Sequence, residues 1–268
     1  MSKTAFALGA HPDDIEFLMA GTLILLKDAG YEIHYMNLAN GNCGSTVYTR
    51  PETARVREKE GRAAADLIGA VFHPSLVSDL EIFYDKETLA KLGAVMREVN
   101  PEILLLLSLN DYMEDHMNSS RLGVSAAFCL GMKNFPTRPT TDAVDYDCTI
   151  YHTLPVNGRD QLRRRVWAEM YVDVSSVVTK KWEMLACHKS QKEWLDYSQG
   201  RDSYLQSMKD LSREMGTVSG QFEYAEAWRR HSHLGFSAKD HDPLTDALGD
   251  KVFIDEDYRR WLEEKPWK

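Results

Sequence analysis

The chain is organised around one stretch, TAFALGAHPDD at residues 4–14. Its apolar half predicts a buried strand, and the run of residues 15–29 predicts the helix that follows. Asp13 and Asp14 then lie beside the free N–H groups of the first helical turn, which the preceding proline suits. Two carboxylates and the imidazole of His11 therefore meet at one strand end. Helix capping alone would also explain them, because Asp is a favoured N-cap residue.

A second stretch brings a second histidine to a strand end. Residues 101–109, PEILLLLSL, predict another buried strand, and a polar run that contains His116 follows it. His11, Asp14 and His116 would together make a metal site of two histidines and one carboxylate. Such a site leaves an open position for a catalytic water, and Asp13 would remain beside that water as a base.

These two motifs, His-Pro-Asp-Asp at residues 11–14 and Asp-Tyr-x-x-Asp-His at residues 111–116, resemble those of the LmbE-like (PIG-L) family of zinc-dependent N-deacetylases. Shorter segments agree with the family in order, at residues 40–44, 57–69, 186–191 and 225–229. The resemblance extends from about residue 5 to residue 230. It implies a Rossmann-like fold, a bound Zn²⁺ and removal of an acetyl group from an N-acetylglucosamine-type amino sugar or its conjugate.

Further side chains are candidates for the same site. Arg57 and Asn40 would face the strand-end crevice and hydrogen-bond sugar hydroxyls, as the resemblance implies for the arginine; an ordinary helix salt bridge is the alternative for Arg57. His188 and Gln191 would either contact substrate or form a structural hydrogen-bonded pair. Asp115 would orient an imidazole through a hydrogen bond, or else remain a solvated or capping carboxylate.

One position departs from the family pattern. The family commonly has a histidine three residues before the second ligand histidine, and this chain has Met113 there. A thioether cannot donate a proton. We predict that His233, with His231 as the second choice, supplies the missing imidazole, and Tyr112 or the metal itself is the alternative.

The alternation of helices and strands predicts an α/β fold, a doubly wound and mainly parallel sheet with helices on both faces. In such sheets ligands bind beyond the carboxyl ends of the strands, which is where both motifs lie. We predict one domain over residues 1–235 and an irregular surface extension over residues 236–268. Helices are predicted at residues 15–29, 51–69, 85–99, 119–133, 180–197 and 204–215.

Composition and net charge limit the binding partners and the cellular compartment that the sequence predicts. The net charge of −9 argues against nucleic acid or an anionic membrane as the main partner, because both are bound through basic patches. The four cysteines have no paired spacing, and no apolar run approaches the ~20 residues of a membrane span. We therefore predict a cytoplasmic protein with reduced cysteines and a small amino-sugar substrate, and the family resemblance favours a homo-oligomer.

Two other hypotheses remain beside a zinc-dependent N-deacetylase. Two histidines and one carboxylate are also the ligands of mononuclear iron(II) enzymes. A catalytically silent carbohydrate-binding protein of the same fold is the second, in which Met113 marks the loss of activity.

Overall fold

The protein, for which we obtained a computed structural model, is described over residues 3–192, 194 and 204–264. These residues form one eight-stranded mixed sheet with helices on both faces. The strands are β1 Thr4–Gly9, β2 Glu32–Asn37, β3 Val71–His73, β4 Ile103–Leu106, β5 Thr149–Thr153, β6 Met170–Asp173, β7 Ala225–Arg230 and β8 Val252–Ile254. The helices are α1 Asp14–Leu18, α2 Ala20–Asp28, α3 Arg50–Asp66, α4 Lys86–Val99, α5 Glu114–Phe128, α6 Val178–Leu185, α7 Tyr204–Ser219, α8 Pro243–Leu248 and α9 Glu256–Glu263.

The sheet has two parts that differ in strand direction. Its order is β3-β2-β1-β4-β5-β7-β6-β8, and the first five strands are parallel. β7 pairs antiparallel with β5, and β6 and β8 continue the antiparallel part. The predicted α/β fold with a mainly parallel sheet and helices on both faces is confirmed. Three antiparallel strands were not foreseen as a continuation of that sheet.

Strand order changes direction at β1, which lies between β2 and β4. All six residues of β1 and all four of β4 are buried, as continuous apolar strands in the centre of a parallel sheet should be. Leu8 of β1 is in register with Leu106 of β4, so the loops that follow the two strands emerge side by side. The two sequence motifs therefore share one crevice at the carboxyl edge of the sheet.

The first predicted helix is in fact two, α1 and α2, because the chain bends at Met19. The carboxylate of Glu226 on β7 accepts the N–H groups of Gly21 and Thr22 in the first turn of α2, at 2.8 and 2.7 Å. Lys181 donates to the same carboxylate at 2.7 Å, in a fully buried ion pair. The family-like segment at residues 225–229 thus binds a helix N-terminus within the core.

Other boundaries differ from the predictions. α5 begins at Glu114 rather than at Ser119, which places the last three residues of the second motif in its first turn. The predicted helix over residues 180–197 ends at Leu185, residues 189–192 are helical again, and residues 193 and 195–197 lie outside the described part. Residues 243–263, for which only an irregular extension was predicted, contain α8, β8 and α9, and β8 pairs with β6. Within the described ranges, no helix has the length and apolar character needed to cross a membrane.

Candidate metal centre and its crevice

The corner between β1 and α1 fixes the first motif. Asp14 Oδ2 accepts the backbone N–H groups of Ala10 and His11 at 3.0 and 2.8 Å. Asp13 occupies the N-cap position with φ 118, a conformation that is uncommon for a residue other than glycine, and its side chain makes no capping hydrogen bond. Capping is therefore the wrong explanation for Asp13, whose carboxylate remains available for chemistry.

The loop after β4 and the first turn of α5 provide two carboxylates that contact the imidazoles. Asp111 is fully buried, accepts the N–H of Met113 at 3.1 Å and lies 3.1 Å from His116 Nδ1. Asp115 Oδ2 lies 3.0 Å from His11 Nε2. Each carboxylate can thus hold one ring nitrogen, which directs the other nitrogen of that ring towards the space between the two histidines.

His11, Asp14 and His116 form a group that could hold a metal ion, with one ligand atom from each lying within 4.8 Å of the others. His11 Nδ1 is 3.6 Å from Asp14 Oδ2, and His116 Nε2 is 3.4 Å from Asp14 Oδ1. Ligand atoms bound to a tetrahedral zinc at about 2.0–2.1 Å are themselves roughly 3.3 Å apart. The spacing and the donor set of the three predicted ligands therefore fit such an ion.

The charges of the centre also suit a cation. Burial lowers the pKa of His11, but hydrogen bonds with Asp115 and Asp14 outweigh burial and raise this pKa to about 10. Burial opposes protonation of His116 too, yet the charges of Asp14 and Asp111 leave its pKa raised. Although burial acts in the opposite direction, the two imidazoles lower the pKa of Asp14. Three carboxylates surround two imidazoles, and a bound cation would balance this excess of acidic groups.

Asp13 lies in the same crevice and is held by two residues outside the metal-binding group. Tyr204 of α7 donates its hydroxyl to Asp13 Oδ2 at 2.6 Å, and Arg57 Nη2 lies 3.8 Å from Oδ1. Arg57 also donates to the carbonyl of Pro12 at 2.6 Å. Burial raises the pKa of Asp13 to about 6 against the opposing charge of Arg57, so this carboxyl changes protonation state near neutral pH. A group with such a pKa can both take up and release a proton.

The four predicted substrate contacts are not all in the crevice. Arg57 and Gln191 line it, and Gln191 Oε1 is buried without a hydrogen-bond partner among the described residues. Asn40 lies in a neighbouring recess beside α3. His188 is buried in the core with its Nε2 3.3 Å from Glu16 Oε1, and this ion pair raises its pKa although burial lowers it. His188 therefore has a buried partner in Glu16 and not in Gln191, and neither His188 nor Asn40 lines the crevice.

Tyr112 and Met113 both line the crevice. The Tyr112 ring is more than half exposed and meets the His116 imidazole edge-on, with 5.6 Å between ring centroids. Met113 occupies the position of the family histidine and brings no proton donor. Of the described residues that line the crevice, the histidines are the two predicted ligands.

His233 and His231, predicted as proton donors, lie elsewhere. His231 Nδ1 is 3.0 Å from His152 Nε2, and His233 Nδ1 is 3.7 Å from Asp240 Oδ1 near the surface. The cause is β7, which extends to Arg230 and pairs antiparallel with β5. This pairing keeps the segment on the far side of β5 from β1 and β4, so the predicted entry of either imidazole into the crevice is wrong.

Two residues of the site, Asp111 and Tyr204, were not predicted from the sequence. Asp111 was quoted within the second motif without a role, although a carboxylate shortly before a ligand histidine was a usable signal. Tyr204 lies 191 residues from Asp13 on a different helix, and nothing local in the sequence indicates that contact.

Residues 6–127 match the profile of the family described as PIG-L, GlcNAc-PI de-N-acetylase, and this range contains both strand-end motifs. The chain is 27% identical over 204 residues to 4-oxalmesaconate hydratase of Pseudomonas putida, with 73% of this chain and 76% of that protein covered. It is 26% identical over 196 residues to diacetylchitobiose deacetylase of Thermococcus kodakarensis, with 70% of each covered.

Solved structures agree with the fold. The structure of 4-carboxy-2-hydroxymuconate hydratase from Pseudomonas putida has a TM-score of 0.72 and 22% identity, and covers 86% of this chain and 96% of that one. At this identity the likeness establishes the architecture alone.

Proposed function

We propose that this chain, whose residues 6–127 match the PIG-L (LmbE-like) family profile, is a zinc-dependent hydrolase that removes the acetyl group from an N-acetylglucosamine-type amino sugar or its conjugate. The observation that carries this proposal is the convergence of His11, Asp14 and His116 with the unligated carboxylate of Asp13 in one crevice. The family description and the deacetylase relative support the substrate class.

His11 Nδ1, Asp14 and His116 Nε2 are the atoms proposed to hold the ion. A zinc ion bound there would supply Lewis-acid chemistry, lowering the pKa of water and polarising the acyl oxygen. Asp115 and Asp111 would orient the two imidazoles towards the ion by accepting hydrogen bonds from their other nitrogens. The mixed α/β sheet favours this hydrolase over the iron(II) alternative raised by the same ligand set.

Asp13 is proposed to move the proton. Tyr204 already donates to Oδ2, so Oδ1 is the atom that takes a proton from the attacking water. The same carboxyl then protonates the departing amine, which needs no second acid in the crevice. Arg57 holds the loop at Pro12 and stays near Oδ1, which keeps the base in position through both steps. Gln191 Oε1, buried without a described partner, would accept a hydrogen bond from the substrate.

A hydratase is the second candidate, and a specific observation favours it. No described residue lining the crevice offers an imidazole other than the two proposed ligands. Addition of water to a carbon–carbon double bond takes one proton from water and gives one to a substrate carbon, and Asp13 could carry both transfers without a further imidazole. A 4-oxalmesaconate hydratase is among the relatives.

The free cysteines of the described chain support the predicted cytoplasmic location, which we retain as a proposal. We propose a small molecule as the substrate, and the net charge of −9 argues against nucleic acid as a partner.

The test measures acetate release from N-acetylglucosamine and diacetylchitobiose by the zinc-loaded protein. Wild type should release acetate, and Asp13→Asn should keep the metal while losing on the order of 10²–10⁴ in kcat, because an amide cannot accept the proton. A parallel assay follows the loss of ultraviolet absorbance of an unsaturated dicarboxylic acid.

Activity in the second assay alone would replace the deacetylase with the hydratase. Sugar binding without turnover in either assay would identify a silent binding protein. An empty metal site in Asp13→Asn would make Asp13 a ligand.

A further inference from the structure

An exposed leucine borders the crevice in a conformation that leucine rarely adopts. Leu80 lines the same crevice as the metal-binding group, yet 64% of its surface is exposed. Its φ of 61° lies in the left-handed region, which glycine enters freely and which crowds the Cβ of other residues. A leucine there costs conformational energy and gains no burial in return. The folding of this loop therefore does not account for the side chain, and its position beside the reacting groups suggests a functional reason.

The loop that carries Leu80 is fixed to the metal centre. The Leu80 N–H donates to Asp115 Oδ2 at 2.8 Å, and the same oxygen contacts His11 Nε2. One residue earlier, the Asp79 carboxylate accepts two backbone N–H groups of the loop after β2, at 2.6 and 3.0 Å. The leucine side chain therefore has a defined place above the crevice.

Tyr112 provides a second apolar surface along the same opening. It is 56% exposed, lines the crevice and is braced by the edge-on contact with His116. The less exposed part of the lining includes Asp13, Asp14 and the two imidazoles. Exposed apolar surface beside this less exposed polar lining suits a ligand that is polar at one end and apolar at the other.

We propose that Leu80 and Tyr112 form an apolar rim that determines specificity by binding an aryl or alkyl group carried by the substrate next to its scissile amide. The proposal rests on the deacetylase function proposed above. Two parts of an N-acyl amino sugar can carry such a group, the aglycone or a longer acyl chain. In both cases the rim removes apolar surface from water when the substrate binds.

The experiment compares kcat/KM for N-acetylglucosamine, its phenyl glycoside and N-butanoylglucosamine. Wild type should prefer at least one of the two apolar substrates, and the one preferred identifies the source of the apolar group. In Leu80→Gly this preference should fall about tenfold, because part of a leucine surface no longer covers the ligand. The melting temperature should stay equal or rise, because glycine relieves the left-handed backbone.

Two further variants make the result specific. Leu80→Asn keeps a residue that tolerates positive φ but replaces the apolar surface with an amide, so it should lose the preference as well. Arg163→Gly relieves a similar φ of 67° on an exposed loop outside the crevice, and it should leave the preference unchanged.

No wild-type preference, or an unchanged preference in both Leu80 variants, would overturn the rim. If wild type releases no acyl group from any of the three substrates, the deacetylase function fails and calorimetry with the phenyl glycoside tests the rim by itself. Binding of the phenyl glycoside about tenfold weaker in Leu80→Gly than in wild type would then support the rim. Equal binding by the two proteins, or no binding by either, would overturn it.

Discussion

Two of the histidine pairs in the described part of the molecule each contain one buried imidazole, and their surroundings make them chemically opposite. His11 and His116 stand at strand ends with 5.5 Å between ring centroids, and His152 and His231 stand on and after neighbouring strands with 5.1 Å between theirs. His116 and His152 are each 3% exposed, so burial does not separate the pairs. The pKa values of His11 and His116 are raised, and those of His152 and His231 are lowered.

Carboxylates account for the difference. The first pair is in contact with Asp14, Asp111 and Asp115. In the second pair, His152 Nδ1 lies 2.9 Å from the carbonyl oxygen of Leu107, which can only accept a hydrogen bond, so Nδ1 carries the proton. His152 Nε2 then accepts a hydrogen bond from His231 Nδ1. The first pair is a site for positive charge, whereas the second is a chain of neutral hydrogen bonds within the core.

The largest expected effect is a difference in bound zinc between a variant of the first histidine pair and a variant of the second. Zinc bound to the purified protein should be about one per chain, and His116→Ala should bring it close to zero and abolish activity. His152→Ala should keep the metal, because its imidazole contacts no proposed ligand. Elemental analysis of dialysed proteins measures both. Full occupancy in His116→Ala would show that the ligand set is wrong, and the comparison between the pairs would lose its basis.

A smaller effect should follow from removing one carboxylate of the first pair. Asp111→Asn keeps the shape of the side chain but removes the charge that faces His116 Nδ1, so zinc affinity should fall about 10–100-fold. Ser120→Ala is the matched control, since it removes a polar neighbour of His152 instead. Competition with a chromophoric chelator gives both affinities. Equal affinities in Asp111→Asn and wild type would mean that the carboxylate does not support the ligand.

The first pair could be predicted from the sequence because each of the two motifs follows a buried strand. Apolar runs predicted β1 and β4, and the carboxyl ends of parallel strands lie at one edge of a sheet. The sequence alone therefore predicted that His11, Asp14 and His116 lie close together, as they do in the structure. The second pair could not be predicted from the sequence. Its existence depends on β7 pairing antiparallel with β5, a long-range choice that local periodicity does not encode.

The same limit explains the individual errors. His231 and His233 were predicted to enter the crevice because only their local spacing was considered, and the sheet pairing takes them elsewhere. Tyr204 was missed because its hydrogen bond to Asp13 joins two distant helices. Contacts between the carboxyl ends of neighbouring parallel strands were predictable here, whereas contacts that depend on the antiparallel pairing of β7 or on helix packing were not.

The smallest expected effect concerns the second pair and the dependence of stability on pH. Burial, together with His231 and the charge of Arg229, lowers the pKa of His152 to about 3 against the opposing hydrogen bond with the Leu107 carbonyl. An unfolded histidine binds its proton below about pH 6.5. Between these two pH values the unfolded chain therefore holds more protons than the folded one. The free energy of unfolding should rise with pH across this window, and the contribution should be fully present above it.

His152→Gln removes this titration, so its free energy of unfolding should depend less on pH between about 4 and 6. The slope should be smaller than that of wild type by at most about 1.4 kcal/mol per pH unit, the value for one proton. Urea unfolding of the metal-free proteins measures it, so that protonation of the proposed ligands contributes equally to both. His233→Gln, whose imidazole lies near the surface beside Asp240, is the control and should keep the wild-type slope. Identical slopes in wild type and His152→Gln would mean that His152 is protonated in the fold, and the contrast between the two pairs would then rest on metal binding alone.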